Sequence, residues 1–177
     1  MIYDVLIIGA GVTGVMTARY LSTKTCSVAV CEMGSDVAMG ATRANSAIVH
    51  AGYDAKPGTL KARLNVQGNR LMKELGAAWD FPVRPIGSHV IGFDEGDLKK
   101  LRELYDRGMA NGVPNLKIIT GDELRAMEPN VSPAAHASLW APSAAITCPY
   151  GITIAAAENA ATNGVHFYFN FKVSGVS

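Results

Sequence analysis

The sequence predicts a doubly wound α/β fold, in which helices cover a parallel sheet, with an α+β domain inserted into it. The N-terminus alternates strand, helix and strand over residues 5–31, and a helix and a strand over residues 149–173 have the pattern needed to rejoin the first sheet. The sequence between these two parts does not continue this alternation of strand and helix. We therefore expect residues 1–81 and 141–177 to form one domain, and residues 82–140 to form the first part of another.

The N-terminal strand–helix–strand unit follows from hydrophobic spacing. Residues 5–8 form an uninterrupted apolar run, which is typical of a strand covered on both faces of a parallel sheet. Apolar side chains recur at helical spacing over residues 12–23, and residues 28–31 form a second buried strand. Residues 33–56 show little helical periodicity and are therefore predicted to form a long loop. Loops of this length are usually functional or disordered.

The central part predicts helices and isolated strands. Pro57 opens a helix that ends near Gly76. One face of this helix carries an apolar stripe that consists of Leu60, Leu64, Leu71 and Leu75. Glycine and proline interrupt the apolar residues of 83–93, which favours one or two short strands outside the first sheet, and a further helix follows at residues 97–109.

The last third of the chain supplies the elements that return to the first sheet. Thr120 and Glu123 have capping-box spacing for a short helix, and a short strand is expected near Leu139. An alanine-rich helix covers residues 149–163, and an alternating strand covers residues 165–173. The apolar face of that strand holds Val165, Phe167, Phe169, Phe171 and Val173.

Composition and charge exclude several classes of protein. The 16 basic and 15 acidic residues leave a formal charge of +1, so no long-range field favours nucleic acid or an anionic membrane. The chain shows neither a secretory signal nor a run near the roughly 20 apolar residues of a membrane span. We expect a cytoplasmic protein with a small-molecule substrate, attached to a membrane only through partner proteins, if at all.

The cysteines and histidines predict no metal site. Three cysteines, Cys26, Cys31 and Cys148, lack CxxC spacing and are interpreted as reduced structural thiols. Three scattered histidines, His89, His136 and His166, lack the spacing of metal ligands and are assigned to core or surface.

The clearest motif is a glycine-rich turn between the first strand and the first helix. Its residues are Gly9, Ala10, Gly11, Val12, Thr13 and Gly14. Such a turn lets a pyrophosphate approach the backbone at the positive helix N-terminus, in a Rossmann-like unit. Glu32, which ends the next strand, can accept the hydroxyls of an adenosine ribose and disfavours the 2'-phosphate of NADP. This spacing fits FAD and NAD alike, although NAD would make no use of residues 40–52.

Residues 40–52 form a second constellation. Thr42 and Ser46 offer hydroxyls, and Arg43 offers charge to a phosphate. On composition alone, a wall for an extended cofactor and an ordinary polar loop explain this stretch equally well.

These motifs resemble the D-amino-acid oxidase-like superfamily of FAD-dependent oxidoreductases. The resemblance rests on residues 9–14, on Glu32 and on residues 40–72, which include the sequence NSAIVHAG. Within the superfamily the chain is most similar to L-2-hydroxyglutarate oxidases and to glycerol-3-phosphate dehydrogenases. Residues 121–133 and 141–153 are similar to the anaerobic type of the latter.

The resemblance implies FAD as the cofactor and assigns residues to it. Its pyrophosphate would meet residues 9–14 and its ribose Glu32 with Met33, while the backbone of Val173 would border the adenine. Residues 42–50 would approach the flavin. The binding residues there are Thr42, Arg43, Asn45 and Ser46. His50 would lie near the flavin as a base, a polarising group or a covalent link, although a packing role fits it equally well.

The implied reaction is hydride transfer to flavin from a secondary alcohol such as glycerol 3-phosphate. The alternatives are a 2-hydroxy acid similar to L-2-hydroxyglutarate, an amine or amino acid, and an inactive nucleotide-binding fragment. Tyr53 and Asp54 replace an arginine of aerobic relatives, which weakens the case for phosphate recognition there. Family members run to several hundred residues, so the inserted substrate domain would be incomplete without a C-terminal half. Electron-transfer subunits are further expected partners.

Overall fold

The computed structural model describes residues 2–175. The strands, in chain order, are β1 Val5–Ile8, β2 Val28–Cys31, β3 Ile48–Val49, β4 Val83–Arg84, β5 Ser88–Gly92, β6 Lys117–Thr120, β7 Ala137–Ala141, β8 Ala145–Thr147 and β9 His166–Tyr168. The helices are α1 Val12–Leu21, α2 Leu60–Ala78, α3 Glu95–Ala110, α4 Gly121–Met127 and α5 Pro149–Thr162, with a single 3-10 turn over Ala41–Arg43 in the described residues.

Contacts divide the chain into two compact units. The first contains the described residues up to Ala47, together with Leu75–Pro82 and the residues from Thr147 onward. The second contains Ile48–Glu74 and Val83–Ile146. Residues 48–74, which we assigned to the cofactor domain, therefore pack with the second unit, because β3 pairs there with β8.

The first unit is built on a parallel sheet in the strand order β1-β2-β9. Helices α1 and α5 pack against each other, and their small residues Ala18, Ala156 and Ala160 are fully buried with Val30 of β2. Small side chains let the helices approach closely and bury the apolar residues beneath them. This arrangement confirms the predicted α/β class and the return of the last helix and strand to the first sheet.

The two faces of β1 differ, which corrects the prediction that both are covered. Val5 and Ile7 pack against the core under the helices, whereas Leu6 is 53% exposed and Ile8 is 60% exposed. An apolar run shows that a strand can be buried on both faces, but it does not show which neighbours cover them.

The second unit is built on an antiparallel sheet in the order β5-β7-β6. Helix α3 packs on this sheet through Leu101, against Leu139 of β7. Helix α4 begins with the predicted capping box, because Thr120 and Glu123 each accept a hydrogen bond from the other's backbone N–H. The N–H and the hydroxyl of Thr120 both donate to the Glu123 carboxylate, which holds the pKa of that carboxyl below its usual range. The strands β3, β6 and β8 were absent from our prediction.

Helix α2 orients its leucine stripe against expectation. Leu60 is 61% exposed, Leu64 50% and Leu71 38%, whereas Asn69 on the opposite side is only 7% exposed. The helix was predicted correctly, but its stripe does not face the core of the described chain. The buried side instead uses polar groups, since Asn69 and Lys73 both donate to the carbonyl of Ser143.

Gly14 should be intolerant of any side chain. A Cβ atom at this position would lie 2.1 Å from the carbonyl oxygen of Gly9, so Gly14→Ala must push α1 away from the turn. We expect a loss of about 1–3 kcal/mol of stability, the usual cost of overpacking. Thermal unfolding followed by circular dichroism measures this loss as a lower Tm.

Gly68→Ala is the matched control, because a Cβ atom at Gly68 of α2 would meet nothing within 4 Å. Replacing an unhindered helical glycine with alanine should stabilise by roughly 0.5–1 kcal/mol. A Gly14→Ala protein that melts at or above the wild-type temperature would show that the close approach of α1 is unnecessary.

Candidate functional site

The glycine turn connects β1 to α1 with a conformation that favours glycine. Gly9 has φ +100°, and its N–H donates to the carbonyl of Cys31 at 2.8 Å, which closes the turn onto the end of β2. Gly11 is the N-cap of α1 and has no side-chain capping bond. Gly11 itself therefore presents no side chain where the chain enters the helix.

The first turn of α1 retains backbone donors. The N–H of Val12 donates to Oγ1 of Thr42 at 3.0 Å, whereas among the described residues we find no partner for the N–H groups of Thr13 and Gly14. Unpaired N–H groups at a helix N-terminus, with the positive end of its dipole, form a favourable environment for an anion. Thr42, a predicted cofactor residue, thus has a structural role at this turn.

Glu32 lies directly after β2, and both of its carboxylate oxygens are held in place. Oε2 accepts the N–H of Ala10 at 2.8 Å, and Oε1 accepts the N–H of Gly34 at 2.7 Å. A carboxylate offers about four acceptor positions, so the other two are available to ligand hydroxyls. The fixed orientation suits the recognition of a ribose diol.

Glu32 and the glycines of the turn, Gly9 and Gly11, border a cavity of about 500 Å³. It lies where the parallel strands end, which is the usual ligand position in open α/β sheets. Of the predicted residues, Gly9, Gly11, Glu32, Met33 and Val173 line this cavity. Gly40, from the constellation of residues 40–52, lines it as well. The other lining residues, which the sequence reasoning did not identify, are Ile8, Cys31, Gly34, Met39, Phe171 and Lys172. The fixed carboxylate, the free helix donors and the glycine walls fit a dinucleotide.

The loop after the cavity gives the remaining predicted residues different environments. Asn45 is bonded within the loop, because its Nδ2 donates to the carbonyl of Thr42 at 2.6 Å and its Oδ1 accepts the N–H of Ala47 at 2.8 Å. Arg43 and Ser46 are exposed. Ala47 has φ +61°, a left-handed conformation that glycine adopts more easily than alanine.

His50 follows β3 in the second unit, and its side chain is exposed. Its backbone is held by Asn69, a residue that sequence reasoning missed. The Nδ2 atom of Asn69 donates to the carbonyls of His50 at 3.1 Å and Ser143 at 2.9 Å, with the carbonyl of Val49 at 3.4 Å. A lone asparagine in a helix gives little signal in sequence, since only the fold brings these carbonyls together.

His89 is a partly buried polar side chain of the second unit. The ring of His89 stacks on Trp140 with centroids 4.4 Å apart, and its Nδ1 lies 3.0 Å from Oγ of Ser138. Burial disfavours the imidazolium form and lowers the pKa of His89. Within residues 2–175 we find no cluster of three or more side chains suited to a metal ion. No helix in that range combines the length and apolar character needed to cross a membrane.

Comparisons with known proteins agree with this geometry. A family model described as "DAO: FAD dependent oxidoreductase" matches residues 4–177. The chain is 46% identical over 171 residues to a glycerol 3-phosphate dehydrogenase of Caloramator mitchellensis, covering 97% of the chain and 36% of that relative. It is 33% identical over 129 residues to a mitochondrial L-2-hydroxyglutarate dehydrogenase of Homo sapiens, covering 72% of this chain and 28% of that relative.

A solved structure of similar fold is the dithionite-reduced L-α-glycerophosphate oxidase from Mycoplasma pneumoniae with FAD bound. Its TM-score is 0.90 at 30% identity, and the match covers 97% of this chain and 46% of that one. The chain thus spans less than half of the length of each of these relatives.

Replacing Asn69 with aspartate should destabilise the second unit. Aspartate has nearly the same shape, but its carboxylate cannot donate to the carbonyls that the Asn69 amide now satisfies. Leaving buried carbonyls unpaired beside a buried charge should cost about 1–3 kcal/mol or more. Denaturant unfolding of Asn69→Asp should show this as a lower midpoint.

The control is Gln67→Glu, the same amide-to-carboxylate change at an exposed position of α2. We expect its midpoint to match wild type. Equal midpoints for Asn69→Asp and Gln67→Glu would contradict the anchoring role of Asn69.

Proposed function

The chain belongs to the DAO family of FAD dependent oxidoreductases, and we propose that its first unit binds the ADP part of FAD in the cavity beside Glu32. The family assignment confirms FAD as the predicted cofactor. The observation that carries the proposal is the Glu32 carboxylate, which the N–H groups of Ala10 and Gly34 fix at the mouth of the glycine turn. The whole protein would oxidise a secondary alcohol.

Each part of the ADP moiety has a matching group. The N–H groups of Thr13 and Gly14 and the N-terminus of α1 would hold the pyrophosphate, and the open space at Gly9, where a Cβ atom would meet nothing within 4 Å, would admit it. The free acceptor positions of Glu32 would receive the ribose hydroxyls. Val173 lines the same cavity and would border the adenine.

FAD, when bound, supplies the hydride acceptor, and the protein supplies orientation and proton handling. The exposed imidazole of His50 would accept the proton of the substrate hydroxyl as its carbon loses hydride, which requires the neutral ring. The bond from Asn69 would fix the backbone from which this ring projects. Arg43, Asn45 and Ser46 would approach the flavin end.

Glycerol 3-phosphate is the first candidate substrate. The relative with 46% identity is named for it, as is the FAD-bound structure with 30% identity, which is called an L-α-glycerophosphate oxidase. L-2-Hydroxyglutarate is the second candidate, since the relative with 33% identity acts on it by name. Both are secondary alcohols that carry anionic groups, so the same removal of a proton and a hydride can oxidise either substrate. The electron acceptor, including any electron-transfer partner, stays a prediction.

Glu32→Gln should weaken FAD binding. Glutamine has one acceptor oxygen, so its NH2 group would face an N–H of either Ala10 or Gly34, and the ribose would lose a charged acceptor. A hydrogen bond to a charged group is worth about 1.5–3 kcal/mol, so affinity should fall roughly tenfold to a hundredfold. The visible spectrum and fluorescence of FAD titrated with the chain measure this change.

Glu74→Gln is the control, because Glu74 is an exposed residue of α2 that pairs only with Arg70. Its affinity for FAD should be that of wild type. If Glu32→Gln retained wild-type affinity as well, the ribose assignment would be wrong.

His50→Gln should slow reduction of the flavin in the full-length protein. With oxygen excluded, glycerol 3-phosphate should bleach the flavin spectrum, and loss of a general base should slow this by on the order of a hundredfold or more. His136→Gln, at another exposed histidine of the second unit, is the control and should react at the wild-type rate. Bleaching by L-2-hydroxyglutarate instead would select the second substrate, and an unchanged rate in His50→Gln would remove His50 from the mechanism.

A further inference from the structure

The leucine stripe of α2 is an apolar surface that stays exposed in the described residues. Leu60, Leu64 and Leu71 are all exposed, and at 3.6 residues per turn they lie within about 40° of one another around the helix. Asn69 lies on the opposite side, where it is buried and bonded. Monomeric proteins seldom leave a contiguous apolar surface in water unless it serves an interaction. The stripe is therefore expected to be covered in the complete protein.

Two cavities adjoin the stripe along one flank of α2. The first has a volume of about 460 Å³, and Leu60 forms part of its wall together with Arg63 and the last turn of α3. The second, of about 560 Å³, shares Arg63 and Asn111 with the first and continues along α2 past Arg70. All of their lining residues belong to the second unit. A segment that packs on the leucines can therefore insert side chains beside them.

This flank of α2 is cationic. Arg63, Arg70 and Lys73 line the second cavity, and its described wall contains no carboxylate. Arg70 pairs with Glu74 at 3.7 Å, and Lys73 donates to the carbonyl of Ser143. For Arg63 we find no acidic partner among residues 2–175. An occupant with complementary charge carries acidic side chains beside its apolar face.

The longer relatives indicate where such an occupant is available. The match covers 36% of the Caloramator mitchellensis dehydrogenase and 46% of the FAD-bound structure, so more than half of each has no counterpart in this chain. A segment of the same polypeptide associates at a high effective concentration, and a narrow contact is then enough.

A second copy of the chain needs a larger surface than the stripe offers. Each partner of a stable complex contributes roughly 800 Å². Even a large aromatic side chain buries only about 150–250 Å². Three partly exposed leucines therefore supply only a small part of the area that a dimer requires.

A membrane fits this face of α2 less well than a protein segment does. A helix that lies on a lipid surface inserts a continuous apolar face. Gln67 and Glu74 are exposed, and they lie on the same side of α2 as the leucines. An acidic group in that position repels anionic lipids. Polar groups around an apolar centre are instead typical of an interface between protein surfaces.

We propose that the leucine stripe of α2 is the docking surface for the C-terminal part of the full-length protein, which contributes an apolar segment with acidic side chains opposite Arg63. This inference goes beyond the proposed function, because it concerns assembly of the protein and assigns no ligand. It gives α2 two roles. One side of the helix holds the backbone of His50 through Asn69, and the other side receives the C-terminal part. Docking thus stabilises the helix that positions His50.

Cysteine labelling measures whether the stripe is covered. Leu64→Cys and Leu71→Cys are prepared separately, in the 177-residue chain and in the full-length protein. Both lengths carry Cys148→Ser, which removes the exposed native thiol. A maleimide should label both positions in the chain, and it should react roughly tenfold or more slowly with them in the full-length protein, because thiol reactivity requires access. Lys99→Cys, at an exposed position of α3, is the control and should react equally in both lengths.

Thermal unfolding provides a second measurement. In the full-length protein Leu64→Ala removes a side chain that docking buries, so its Tm should fall by about 5 °C or more. In the 177-residue chain the same change should shift Tm by no more than about 2 °C, as is usual at the surface. Met109→Ala is the matched control, since Met109 is an apolar residue of α3 that is 52% exposed. It should leave the Tm of both lengths near the wild-type value.

Three outcomes overturn the proposal. The first is labelling of Leu64→Cys and Leu71→Cys at equal rates in both lengths. The second is protection that requires added phosphatidylglycerol vesicles, which assigns the stripe to a membrane, or that disappears on dilution to the monomer, which assigns it to a second copy. The third is an equal loss of Tm in Met109→Ala and Leu64→Ala of the full-length protein, because the cover is then not local to the stripe. FAD binding by these proteins is a separate readout, so a failure of docking leaves the proposed function standing.

Discussion

Two backbone N–H groups converge on one carboxylate in the first unit. Ala10 donates to one oxygen of Glu32 and Gly34 to the other, at 2.8 and 2.7 Å, so the turn after β1 and the segment after β2 are tied to a common anionic group. Bonds to ionised acceptors are about twice as strong as neutral ones. This interaction fixes the direction in which α1 leaves its turn and the position of Glu32 at the edge of the cavity. The backbone of Glu32 is also paired, because the N–H of Phe171 donates to its carbonyl at 2.9 Å.

The parts of this site that the sequence reveals are those determined locally. A strand, a glycine turn and a helix follow each other within 20 residues, so the positive φ of Gly9 and the close contact at Gly14 leave a sequence signature. Phe171 depends instead on a bulge opposite Glu32, about 140 residues earlier in the chain. A regular alternation of apolar residues cannot show where a left-handed residue such as Asn170 will interrupt it. The aromatic residues were therefore predicted to share one face of a regular strand.

In the second unit, polar groups determine which face of α2 is buried, because the pattern of apolar residues does not. The leucine stripe of α2 predicted the helix, yet Asn69 and Lys73 on its other side determine which face is buried, because the carbonyl of Ser143 needs donors. An unpaired buried carbonyl costs as much as the burial of a small apolar side chain gains. Strands β3 and β8 were missed for a similar reason, since each is defined by its partner and, with two and three residues, is too short to show a periodicity of its own.

The composition of the cavity wall explains why the glycine motif alone fitted FAD and NAD alike. Gly9, Gly11, Gly34 and Gly40 contribute backbone and no side chains, so this part of the wall recognises charge, hydroxyl positions and shape. Pyrophosphate, ribose and adenine are common to all adenine dinucleotides, so contacts to these three parts do not distinguish FAD from NAD. Selection of flavin over nicotinamide must therefore come from residues that reach the other end of the molecule. Residues 42–50, which the resemblance assigns to that end, carry the information that the glycine motif lacks.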